Sequence, residues 1–152
     1  MRTAHVARYA IWIARLAFGS TFLSAVADRF GLWGPYGAPH VAWGDWAHFV
    51  HYCGMLNSYA PAAFIPALAW ISTALEIAFG LAFLAGFQLE YVAYGSAALF
   101  ALFAFGMTWG TGVKSPLDAS VFADAAGAFL FGALLTSIRT TQQQPVAKLS
   151  CR

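Results

Sequence analysis

The chain has 152 residues, 61% of them hydrophobic and only 9% charged, with a formal net charge of +2. Soluble domains run at about half apolar and a quarter charged, so this balance excludes an ordinary water-soluble fold and points to lipid as the solvent. Eight basic residues scattered without a run, against six acidic ones, exclude a nucleic-acid binder.

Taken in chain order, Arg2 and Arg8 lead into an apolar stretch that ends at Ala25-Val26-Ala27, a pattern that mimics a secretory leader. Arg15 interrupts it, and the stretch reads better as a first membrane span. A helix needs about 20 mostly apolar residues to cross a hydrocarbon core about 30 Å thick. Four segments satisfy that length: 9–27, 63–87, 91–109 and 117–138. The expected fold is therefore all-α, a four-transmembrane-helix bundle over residues 1–140, followed by a flexible tail at 141–152 that is expected to be cytoplasmic.

The only long connection, Asp28 to Pro61, holds three of the four His, three of the six Trp and three of the six Pro. Within it, residues 43–57 can form a two-faced helix with Trp43, Trp46, Ala47, Val50, Cys53 and Gly54 on one side, and Asp45, His48, His51 and Met55 on the other. Such a helix lies at the membrane interface as a lid over one mouth of the bundle. Lys and Arg concentrate near the two termini (Arg2, Arg8, Arg139, Lys148, Arg152), with Arg29 and Lys114 at the other end of the spans. That asymmetry predicts cytoplasmic termini and an extracytoplasmic lid. Cys53 and Cys151 then fall on opposite sides and cannot pair, and no CxxC or zinc spacing exists.

Ionisable residues inside spans are costly and mark functional positions or buried packing charges. Glu76 shares a helix stripe with Ser72, Thr73 and Gly80, and Asp124 lies at a similar depth in the fourth span. With Arg29 at the end of the first span, they are expected to converge in one polar pocket, and these three are the candidate catalytic residues. Arg15, pointed away by the antiparallel geometry, is expected to snorkel to the cytoplasmic surface instead of meeting Glu76. His48, His51, Trp46, Lys114 and Asp118 are the candidate ligand contacts; for the two His, a solvated polar face opposite the Trp side is the simpler account. No His lies in a predicted span, so intramembrane haem is not indicated, nor is flavin or a metal. Gly110 to Ser115 lacks the Gly before Lys114 that a phosphate loop requires, and Gly106 with Gly110 indicates close helix approach.

The segments Gly19 to Phe30, Thr73-Ala74-Leu75-Glu76 with Gly80 and Leu84-Ala85-Gly86, and Lys114-Ser115-Pro116-Leu117-Asp118 together resemble the DoxX/DoxD family of small four-helix membrane proteins. The resemblance runs from about Arg15 to Leu135. It implies a bacterial or archaeal cytoplasmic-membrane protein associated with an oxidoreductase complex, with a quinone as the implied ligand and a protein partner in the complex. Arg29, Glu76 and Lys114 through Asp118 are the positions it marks. The Trp- and His-rich loop and the lack of a cysteine pair depart from it. The sequence also allows a non-catalytic scaffold that recruits a partner through that loop and, less readily, a small transporter. Whether the chain is itself an enzyme stays open at this point, as does homo-oligomer formation.

Overall fold

The computed structural model describes residues 2–143, and every described element is helical or a turn. The chain runs α1 (Arg2–Arg29), α2 (Trp46–Leu56), a 3-10 turn (Ala62–Phe64), α3 (Ile65–Ala85), α4 (Leu89–Thr111), α5 (Lys114–Asp118) and α6 (Val121–Gln143). Four helices, at His5–Arg29, Ala62–Ala85, Leu89–Thr111 and Val121–Gln142, are long and apolar enough to cross a membrane. The protein is a multi-pass membrane bundle, and the many large apolar side chains on its outside, such as Leu16, Ile71, Leu102 and Leu130, face lipid. The tail from residue 144 onward, with Lys148 and Cys151, lies outside the described residues.

The element ends have local causes. α3 stops two residues short of the expected Phe87 because Gly86 takes a left-handed conformation, φ 77°, and the amides of Gly86 and Phe87 bond back to Ala82 and Phe83. The fourth span begins at Val121 and not at Leu117. Ser120, at φ 59°, breaks the helix and leaves Leu117 exposed in the short α5. The lid helix starts at Trp46, three residues later than the pattern suggests. Gly44 turns the chain at φ 68°, and the Asp45 carboxylate then caps the helix by accepting the His48 amide at 2.9 Å. Asn57 closes it, donating its side-chain amide to the Cys53 carbonyl.

α1 packs mainly on α3, and α4 mainly on α6. At the α1–α3 crossing, a Cβ on Gly80 would sit 2.9 Å from the Leu23 side chain, so glycine lets the two backbones close. Phe18, Phe22, Phe83, Phe100 and Phe131 join all four spans in one aromatic centre, with Phe22 and Phe100 stacked at 4.7 Å. Gly110 does bring helices close, but the partner is the lid. A Cβ there would come within 2.9 Å of the Met55 carbonyl carbon and 2.7 Å of the Leu56 Cα. The lid is thus seated on the end of α4 as well as on α3.

Candidate functional site

At the lid end, the last residue of α1 turns inward. Arg29 is 3% exposed and Glu76 is 1% exposed. One guanidinium nitrogen, Nη2, donates to both Glu76 carboxylate oxygens at 2.6 and 2.8 Å, and Nη1 donates to the Thr73 hydroxyl at 2.7 Å. The Thr73 hydroxyl in turn donates a hydrogen bond to the Ala69 carbonyl at 2.8 Å. Thr73, Glu76 and Gly80 are buried on one stripe of α3 with Ala69 and Phe83, as the three- and four-residue spacing requires. Sequence alone marks that stripe but does not identify Thr73 as a ligand of Arg29.

Aromatic rings roof the pair. The Phe49 ring centre lies 3.8 Å from the guanidinium carbon and that of Trp43 lies 5.3 Å away. Among the described residues, Arg29 Nε has no hydrogen-bond acceptor, so these ring faces are what cover that side of the cation. Burying both charges is tolerable only because each is paired and the hydrogen bonds are nearly complete. The buried stripe of the lid is Phe49, Cys53 and Leu56. Ala47, expected on the apolar face, is exposed, and Phe49, unassigned by the pattern, is the residue nearest the cation. Burial pushes the Cys53 thiol up to about 11, so it stays protonated.

The neighbouring Asp28, also buried, accepts the amides of Ala42 at 2.8 Å and Gly44 at 3.2 Å. Its carboxylate pins the incoming loop to the end of α1 and places Trp43 over Arg29.

The expected convergence is partial. Arg29 and Glu76 meet, but Asp124 makes no hydrogen bond or ion pair to either and sits half-buried on α6, in the other helix pair. Lys114 and Asp118 form an exposed ion pair with each other on α5 and do not join the site. Trp46 packs at a tilt against Trp70 at 4.1 Å and stacks on Phe30 at 5.7 Å, bracing the lid. His48 is held by the Asp45 carboxylate at 2.7 Å through Nδ1 and stacks on Tyr36 at 3.7 Å; His51 is exposed. The backbone amide and then the ring of His48 keep the Asp45 carboxyl below its ordinary range. Among the described residues no group of three His, Cys, Asp or Glu could hold a metal ion. Arg15 reaches the end of α3, where Nε donates to the Phe83 carbonyl at 2.9 Å and Nη2 to that of Leu84 at 2.5 Å, with Trp12 against its guanidinium. It does avoid Glu76, but it caps a helix C-terminus instead of only reaching for water.

No family model, curated protein or solved structure matches this chain. The site therefore has to be read from its own geometry. That geometry is a closed charge cluster in which both Arg29 and Glu76 are buried. Two cavities, of about 630 and 450 Å³, open instead on the flank of α1, and neither is lined by Arg29, Glu76 or Asp124.

Proposed function

We propose that this chain is a DoxX-like membrane subunit associated with a redox complex, and that it holds a quinone or a similar apolar ring at the lid end of the bundle. The observation that carries this reading is the joining of Arg29 to Glu76, two positions on which the resemblance rests, beneath the rings of Phe49 and Trp43. An aromatic enclosure with a few fixed polar groups is the usual make-up of a site for a flat apolar ligand. Because the ion pair is sealed, Glu76 and Arg29 serve in this reading as the fixed post behind the site, not as groups that touch the ligand. Arg8, Arg15 and Arg139 lie toward the end that carries the chain termini, while Arg29 and Lys114 at the lid end are neutralised by Glu76 and Asp118. That supports cytoplasmic termini and an extracytoplasmic lid in a prokaryotic cytoplasmic membrane.

The test is extraction of the purified protein for bound quinone by mass spectrometry, combined with titration of a short-tailed benzoquinone followed by tryptophan fluorescence. Co-purification and saturable quenching are expected. Neither signal in protein that is folded and lidded contradicts the reading.

A scaffold is the second reading, favoured by the exposed Leu32, Trp33 and Tyr36 beside the braced lid. Tyr36→Ala with Trp33→Ala then abolishes capture of a membrane partner while Glu76→Gln leaves it intact.

A further inference from the structure

Hydroxyls inside a membrane helix normally bond back to their own backbone, since lipid offers no partner. Here Ser20, Ser72, Thr73, Thr108, Thr111 and Thr136 each donate to the carbonyl three or four residues earlier. Thr21 and Ser24 have no such bond among the described residues, although both lie on the exposed flank of α1. Ser96 and Ser137 also show no such bond among the described residues, but Ser96 is buried between helices and neither lines these two cavities. An unpaired hydroxyl in an apolar medium carries a desolvation cost that a ligand acceptor removes.

Thr21 and Ser24 also line both cavities on that flank, together with Trp33, so the two cavities form one groove. At about 1.5 Å per residue, Ser24 and Thr21 sit about 8 and 12 Å below the lid-end terminus of α1. Along α1 the groove is also lined by Leu23 and Ala27, with Leu84 of α3 opposite and, at its deep end, Ser20, whose hydroxyl is already bonded to the Ala17 carbonyl. Toward the lid it is walled by Trp33, His40 and Trp43. Trp33 is fixed by its indole N–H, which donates to the Ser24 carbonyl at 3.1 Å. His40 is held at φ 65°, an uncommon conformation for a residue with a side chain.

Among the described residues the wall offers no free Lys or Arg. Arg29 is turned to Glu76 on the far side of Trp43, and both oxygens of the one charged lining group, Asp28, are taken by backbone amides. An anionic phosphate head finds no partner there. A neutral ring bearing carbonyl acceptors, with a single apolar tail, fits every wall.

Resting on the quinone reading above, we infer that the ligand binds on the lipid-facing flank of α1 and enters sideways from the bilayer. Its ring lies between Trp33 and Trp43 beside His40, a ring carbonyl accepts from Thr21 or Ser24, and its tail runs past Leu23 and Leu84. None of these groups needs to move a proton for binding.

The experiment uses the full chain in phosphatidylcholine nanodiscs with a short-tailed benzoquinone carrying a photoreactive tail. Thr21→Val with Ser24→Ala preserves shape on a lipid-facing surface. It is expected to weaken binding by about tenfold or more, as the loss of one or two hydrogen bonds in an apolar site implies. Crosslinks are expected on α1 and near Leu84. Wild-type affinity in the double variant, or crosslinks confined to α4 and α6, overturns the groove while leaving the quinone reading standing. Failure of the wild-type protein to bind overturns both. If the double variant does not insert, Trp33→Ala, which removes one wall, is expected to give the same loss, and unchanged affinity there is equally contrary.

Discussion

Arg29 Nη2 contacts both carboxylate oxygens of Glu76, 47 positions further along the chain, at 2.6 and 2.8 Å. This single contact ties the lid end of α1 to the middle of α3, and the lid helix is laid over it. The loop from Phe30 to Trp43 is drawn down by Asp28, Phe49 and Trp43 cover the cation, and Gly110 admits the far end of the lid.

Phe49→Ala removes the ring nearest the guanidinium and leaves a cavity. It should lower stability by about 3–5 kcal/mol in chemical unfolding in micelles, with Phe49→Leu retaining part of the loss because a desolvated cation–π contact is worth about 2 kcal/mol. Equal effects of the two substitutions would show that volume alone matters at this position.

Gly110→Leu places a side chain where the backbone of Met55 and Leu56 lies. The lid should lift at its C-terminal end, at a cost of about 1–3 kcal/mol from overpacking. Hydrogen exchange reads this directly: amides at Cys53 to Asn57 should exchange faster, while those of α6 stay protected. Unchanged protection of the lid argues against its seat on α4.

Cys53 is buried, and its thiol is pushed to about 11 by burial, with Arg29 opposing. A raised thiol pKa keeps the protonated form through neutral and mildly alkaline pH, and its contribution to stability is lost only as pH rises from the ordinary thiol value of 9.0 through about 11. In a Cys151→Ser background, a maleimide should therefore label the folded protein slowly at pH 8 and rapidly after unfolding. Fast labelling of the folded state would mean that the lid opens freely.

Asp124→Asn should change stability by less than about 0.5 kcal/mol, as for a residue outside any network. A loss comparable to that from Glu76 substitution would place Asp124 back in the cluster, and unfolding midpoints compared side by side decide between them.

Hydropathy makes the four spans legible, because length and apolar content are all that crossing a bilayer demands. The lid is legible as a two-faced segment, yet its start is set by the Gly44 turn and the Asp45 cap, which the spacing of Trp43 and Trp46 obscures. Depth along a span follows from counting residues only once the span's start is known: α6 begins at Val121, so Asp124 stands in its first turn while Glu76 lies about three turns into α3. Which way each faces around the bundle does not follow, because that depends on helix pairing. With α1 on α3 and α4 on α6, Asp124 is carried into the other pair. Phe49 and Asp28 were hidden for a related reason. Their roles come from a loop folding back onto the end of α1, a contact with no periodic signature.

The most direct test of the Arg29 post is a double-mutant cycle with Arg29→Ala and Glu76→Ala, read by reversible unfolding in micelles. Breaking a buried pair from either side should cost about 3–5 kcal/mol because a charge is left unpaired. The double variant should cost little more than either single one, giving a coupling close to one single loss, about 3 kcal/mol or more. Simple additivity of the two losses would contradict a lid end organised around that contact.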